Sequence, residues 1–294
     1  MKKKQRKSQQ YKKRSMLAMM LRQLRKNKGA ILGLILVVII IALALLAPVL
    51  YDYDTVVIAQ NLKERLQAPS AAHWFGTDDM GRDILARVVY GARYSLAVGL
   101  IAVLIALLVG VTLGATAGYV GGPMEEVIMR ICDIFSSIPS VLMAIAVVSA
   151  LGKSTVNLMI AVGIASTAPF IRVARAAVLT VRGEEYVESA RAIGMREWQI
   201  VLGHILPNCI SQIIVQATLR VGSAIISAAQ LSFLGLGVPA PAPEWGSMLS
   251  SGRSYIRDYS YMTLFPGLAI MITVLSLNMI GDGLRDALDP KLKR

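Results

Sequence analysis

Few side chains in this sequence are of types that perform covalent or metal chemistry, and their spacing argues against most of it. The chain has two histidines, His73 and His204, and two cysteines, Cys132 and Cys209. A disulfide framework or a four-ligand zinc site needs more donors at closer spacing. A membrane enzyme would gather His, Asp, Glu or Ser within reach of one another, and two isolated histidines do not. Gly152-Lys153-Ser154-Thr155 ends like a phosphate-binding loop, but the glycine required five residues before its Gly-Lys pair is Val147 here. No catalytic, cofactor-binding or metal-binding residue is therefore assigned to this chain.

What remains is non-covalent chemistry. Arg220 sits well inside an apolar stretch, where a charge costs ~2.5–3.5 kcal/mol on insertion scales. It is expected to face water or another chain. Lining a path for a carboxylate-bearing solute is one reading, with Ser223 as the second candidate path residue; packing or ion pairing against a partner is the other. Arg130 and Asp133, three residues apart, are placed to pair with each other. Glu125 and Glu126 read as a solvated loop, and Asp282 as an interfacial residue.

The elements that hold these residues are set by hydrophobicity. Of the 294 residues, 55% are hydrophobic and 17% charged, against about a quarter charged in a soluble domain. Ala30 to Leu50 carries no charge, and about 20 apolar residues span a hydrocarbon core ~30 Å thick. A cleaved leader is the competing reading, since Ala42-Leu43-Ala44 loosely resembles a cleavage site, but leader cores run only about 7–15 residues. Five more apolar stretches lie near Tyr94–Ala117, Val127–Leu151, Val156–Val178, Ile210–Gln230 and Met262–Gly281. The expectation is an all-α integral membrane protein with about six spans. Gly99, Gly110, Gly114, Gly163, Ser166, Gly222 and Ser223 within them read as close-packing faces between helices.

Charge sets the orientation. The net charge of +13 is concentrated before the first span, in Lys2, Lys3, Lys4, Arg6, Lys7, Lys12, Lys13, Arg14, Arg22, Arg25, Lys26 and Lys28. A nucleic-acid-binding arm is the weaker reading of that cluster, because cationic flanks are retained on the cytoplasmic side and anionic lipid attracts them. With both termini cytoplasmic, that side also holds Arg130, Arg172, Arg175, Arg182, Arg191, Arg196, Arg285, Lys291, Lys293 and Arg294. The outer side holds Lys63, Arg65, Arg82, Arg87, Arg93, Lys153, Arg253 and Arg257. The organisation expected is a basic arm (1–28), a first span with an external segment (29–93), a five-helix core (94–285) and a tail (286–294). In the external segment, Thr77 is expected to cap a short surface helix carrying Ile84, Leu85, Val88 and Val89 and ended by Gly91.

The segment 184–207, between the fourth and fifth spans, is too patterned to be a simple connection. Glu184 and Glu185 open a helix at the end where the dipole favours anions. Tyr186, Ala190 and Ile193 fall on one face, and Gly194 can take positive φ to end the helix. Trp198, Val201, Leu202 and Ile205 mark the apolar face of a second helix, which Pro207 ends. On periodicity alone, a hairpin lying on lipid headgroups fits equally well.

Glu188-Ser189-Ala190-Arg191, Gly194 and Leu206-Pro207 resemble the "EAA" loop of ABC importer permeases. Ser189 replaces the first alanine of that motif, and His204 stands where isoleucine is usual. His73-Trp74-Phe75-Gly76-Thr77-Asp78-Asp79-Met80-Gly81-Arg82-Asp83, Leu231 to Gly237 with Glu244-Trp245-Gly246, and Leu288-Asp289-Pro290-Lys291-Leu292 are similar to the C-type permease of dipeptide, oligopeptide and nickel importers. The resemblance implies a type I importer permease fold in a bacterial cell membrane, with 184–207 as a coupling helix-turn-helix. It implies a second homologous permease, two cytoplasmic ATPases that use ATP and magnesium, and an external substrate-binding protein. Peptide is the expected solute, with a nickel chelate or other small solute as the alternative. A self-contained ion-coupled transporter would need acidic residues in mid-span, and Asp133 and Asp282 lie near span ends; no internal repeat supports an inverted-repeat design.

Overall fold

The computed structural model of the protein describes residues 27–288; most of the basic arm and of the Leu288–Leu292 motif lies outside the described residues. Helix α1, Lys28–Leu50, is capped by the Asn27 side chain, which accepts from the Ala30 amide at 3.1 Å. Its small residues Ala30, Gly33, Ala44 and Ala47 face inward, while Leu34, Ile35, Val38 and Leu45 are exposed. Large apolar side chains outward and small ones inward are what a lipid-facing helix requires. A Cβ at Gly33 would stand 2.6 Å from the Ser276 carbonyl, so only glycine allows this approach to the last helix.

Helix α2 runs unbroken over Ile84–Val120, 37 residues, and starts at Asp83, whose carboxylate accepts from the Ala86 amide at 2.8 Å. The separate surface helix expected from Thr77 to Gly91 is therefore absent. Thr77 is buried in an isolated bridge with Asp83, and Ile84, Ala86 and Arg87 are buried as the first turns of α2. Gly91 does not end the helix. A Cβ there would lie 2.0 Å from the Pro243 carbonyl, so the glycine serves close approach of a loop.

Helices α3, Gly122–Ser137, and α4, Ser140–Leu151, meet at 93°. The third span expected over Val127–Leu151 is thus a broken one. Pro139 supplies the reason: it lacks an N–H and forces Ile138 into extended backbone at φ −93°, ψ 128°. Helices α5, Thr155–Ala165, and α6, Thr167–Val181, bend by 43° just before Pro169. Glu125 lies on α3, not in a loop, and its Oε1 accepts from Arg175 Nε at 2.6 Å. Asp133 pairs with Arg172 at 3.0 Å and not with Arg130, because α6 presents a cation to the same flank of α3.

The loop helices α7, Glu185–Ala192, and α8, Glu197–Ile200, precede α9, Leu206–Phe233; a short α10, Trp245–Gly252, and α11, Tyr261–Leu288, complete the chain. Among the described residues four helices are long and apolar enough to cross a membrane, and the number is six when each bent pair is one span. One core cluster joins Val98, Ala102, Val148, Leu158, Phe170 and Ala224; a second joins Ala115, Val178, Val187, Ile200 and Ile205.

Candidate functional site

In the loop, α7 begins without a side-chain cap at Glu184, and Glu185 and Glu188 occupy its first turn. It ends at Gly194, φ +82°, where the Gly194 amide donates to Arg191 O at 3.0 Å and the Met195 amide to Ala190 O at 3.2 Å. That pair of bonds is a Schellman closure, and it turns the chain into α8. Ser189 is exposed and its hydroxyl donates to the Glu185 carbonyl at 2.8 Å. A serine in place of alanine is thus absorbed by the helix's own backbone.

The apolar faces differ from those expected. Val187 and Ala190 of α7 are buried with Ile200, Ile205 and Cys209, against Ala115, Ala177 and Val178. Tyr186 and Ile193 point outward with Trp198 and Leu202, Ile193 being 79% and Trp198 57% exposed. Pro207 does not end the helix either. Helical backbone continues from Glu197 to Phe233 through one π turn at Val201–Ile205, where the Leu206 amide reaches back to Val201 O. The wider turn sits where Pro207 has no amide to offer Gly203, so a local change of pitch replaces a break. Leu206 is half-buried and Pro207 exposed.

One tie was missed in the sequence. Arg191 donates to the Tyr119 hydroxyl at 3.2 Å and lies 6.0 Å from its ring centroid, and the same hydroxyl donates to Glu197. Tyr119 is one residue from the end of α2, so the loop is fastened to the second span as well as to its chain neighbours. An apolar groove of about 680 Å³ runs beside this tie, lined by Val111, Thr116, Trp198 and Leu202 among others. The only signal for it was a tyrosine ending a long apolar run.

On α9, Gln212, Gln216, Arg220, Ser223, Ser227 and Gln230 follow one another at three- and four-residue steps. They form one stripe, and none of them is buried in the chain. Among the described residues Arg220 has no carboxylate within ion-pair distance. Gly222, on the opposite side, packs against Val274 of α11, whereas Ser223 is exposed and does not serve as a packing face.

The opposite end of the bundle carries a buried polar cap. Arg82 Nε donates to Asp78 Oδ2 at 2.7 Å, Arg87 Nε lies 3.5 Å from the same oxygen, and Arg87 Nη1 donates to Val57 O at 2.9 Å. Burial and the neighbouring Asp78 charge raise the Asp79 carboxyl above its ordinary value. Glu244 is 2% exposed, accepts from the Gly246 and Ser247 amides at 2.9 and 2.8 Å, and so caps α10; burial raises its carboxyl too. His73 Nδ1 lies 2.9 Å from Asp83 Oδ2. Among the described residues no three His, Cys, Asp or Glu side chains are grouped to hold a metal ion.

Residues 110–294 match the family profile described as "Binding-protein-dependent transport system inner membrane component", and residues 15–69 match "N-terminal TM domain of oligopeptide transport permease C". The chain is 51% identical over 272 residues to the dipeptide transport system permease protein DppC of Alkalihalophilus pseudofirmus, covering 92% of this chain and 89% of the relative. It is 46% identical over 275 residues to the glutathione transport system permease protein GsiD of Pectobacterium atrosepticum, covering 92% and 90%. A crystal form of the MetNI methionine ABC transporter matches with a TM-score of 0.59 at 17% identity, over 70% of this chain and 98% of that one. An amino acid ABC transporter matches with a TM-score of 0.53 at 15% identity, over 67% and 92%. At such identities the likeness is one of fold.

Proposed function

Because this chain belongs to the binding-protein-dependent transport system inner membrane component family, as the permease component of an ABC importer, we propose that its 184–207 hairpin docks a separate cytoplasmic ATPase and that α9 lines a path for short peptides. The observation that carries the docking is the split of the hairpin. Val187, Ala190, Ile200 and Ile205 are buried in the bundle, while Tyr186, Ile193, Trp198 and Leu202 stand outward. An exposed apolar set rimmed by Glu184, Glu188 and Arg196 is a contact surface for protein. The excess of Lys and Arg at this end of the chain supports a cytoplasmic orientation in a bacterial inner membrane.

The remaining partners are a second homologous permease, two ATPases and an external binding protein that delivers the solute. ATP binding draws the ATPases together, the hairpin follows, and Arg191 and Glu197 pass that movement to Tyr119 and α2. The uncompensated Arg220 on a neutral polar stripe suits a solute with a carboxylate, which a dipeptide and glutathione share. The relatives, named as dipeptide and glutathione permeases, agree with that class. ATP-driven uptake of labelled dipeptide into vesicles, with and without Arg220→Gln, tests it. The substitution is expected to lower uptake at least about tenfold, the loss of one ~1.4 kcal/mol contact, while ATP hydrolysis persists; unchanged uptake removes Arg220 from the path.

A further inference from the structure

Helix α3 is divided lengthwise into three sectors. Ile128 and Cys132 are buried against the bundle. Met124, Val127, Ile131 and Phe135 form an exposed apolar strip, the composition of a lipid-facing surface. Glu126, Arg130, Asp133 and Ser137 form a third strip, also exposed, within roughly 60° of arc at about 100° per residue. One helix cannot turn both exposed strips to lipid. The polar one needs water or another chain.

Every residue from Asp133 to Ser140 is exposed in the chain, including the non-helical Ile138 and Pro139. Counted from Val127, just past the Glu125–Glu126 pair, the break at Ile138 lies ~16 Å along the helix at ~1.5 Å per residue, inside a hydrocarbon core ~30 Å thick. Cys132, one turn before it, lies 3.7 Å from the Ala168 carbonyl, at the bend between α5 and α6, and shares a pocket with Ile105 and Val109 of α2. Irregular backbone at such depth is tolerated only against protein or in a water-filled space. The Asp133–Arg172 pair, with side chains 62% and 47% exposed, makes the same demand. Beyond the break, Val141 shares an open cleft of about 490 Å³ with Gln230, the last residue of the α9 stripe.

We propose that the break Ser136–Ser140 and the polar strip of α3 are a second wall of the solute path, beside the α9 stripe, with Ser137 and Ser140 in contact with the passing solute. This inference rests on the importer reading above. The Ser137 hydroxyl donates to the Ile134 carbonyl at 2.7 Å and so offers an acceptor, while the interrupted main chain and the Ser140 hydroxyl offer donors, together matching amides and carboxylates, the groups common to all short peptides. Such a wall holds the solute by its backbone and leaves its side chains unread.

The test uses the transporter assembled with its partner chains in membrane vesicles, with Cys132→Ala and Cys209→Ser removing the native thiols. Single cysteines are placed by Ser137→Cys, Ser140→Cys, Ile131→Cys and Phe135→Cys, and each vesicle preparation is first shown to hold the assembled complex by its ATP hydrolysis. A charged, membrane-impermeant methanethiosulfonate reagent is then applied; thiol reactivity follows access to water and thiolate formation. The two serine positions are expected to react at least about tenfold faster than the two apolar ones, since no thiolate forms in lipid. Their labelling is expected to slow when dipeptide-loaded binding protein is added. Equal rates at all four positions, fast or slow, in the assembled complex would overturn the proposal and leave the importer reading standing. Failure of that reading shows separately, as uptake indifferent to ATP in the unlabelled vesicles.

Discussion

Gly194 stands at φ +82° with open space where a methyl group would project, no atom lying within 4 Å of it, so a side chain there is penalised by backbone conformation alone. Gly194→Ala is expected to cost about 1–2 kcal/mol, read as a lowered Tm of the detergent-solubilised complex, and Gly194→Asn less than Gly194→Ala. Glu244 gives a prediction of opposite physical origin. Burial raises its carboxyl above the ordinary value, despite the two amides that favour the ionised form. A raised folded value means its contribution to stability is complete below the ordinary carboxylate range and is lost as pH rises through the folded value. Tm measured as pH is raised from the ordinary carboxylate range should therefore fall less steeply for Glu244→Gln than for the native chain; equal slopes would contradict the assignment. Gly194 was legible in the sequence because an amphipathic helix ended there. Glu244 was legible only as part of a resemblance, since its burial depends on Ser95, 149 residues away.

At the scale of elements, glycines fix how closely α2 and α6 approach. A Cβ at Gly110, Gly114 or Gly118 would come within 2.4–2.9 Å of α6, at Gly114 against the Ile171 carbonyl. Gly114→Ala is expected to cost ~1–3 kcal/mol because main chain must shift, whereas Gly183→Ala, with open space around it, should leave Tm unchanged. The tie between loop and α2 predicts a different readout. Tyr119→Phe removes the hydroxyl that serves both Arg191 and Glu197, and transport per ATP hydrolysed is expected to fall while docking of the ATPase is retained. The apolar runs themselves were legible, because about 20 residues without charge have one physical use. Their interruptions were not. Pro139 lies within a long hydrophobic run, and composition does not distinguish a kink from a 93° break. Nor could the periodicity of α7 decide which flank meets the bundle: Tyr186, Ala190 and Ile193 share a period, but only Ala190 lies beside Val178 and Ile200.

For the whole molecule, the lopsided distribution of Lys and Arg predicts which end faces the cytoplasm. In intact cells, Lys153→Cys should react with an impermeant thiol reagent applied outside, and Arg182→Cys only after permeabilisation; the reverse pattern would invert the protein. The outward apolar residues of the hairpin are proposed to hold a separate ATPase. The direct measurement is purification of the tagged chain from solubilised membranes, with ATP hydrolysis assayed in the eluate, for the native sequence and for Ile193→Asp with Trp198→Asp. Both residues are exposed, so the substitutions spare the core. ATPase activity is expected with the native chain and its loss with the variant, while the variant's own yield and Tm stay unchanged. Equal ATPase recovery with both chains would contradict the assignment of the hairpin as the docking element.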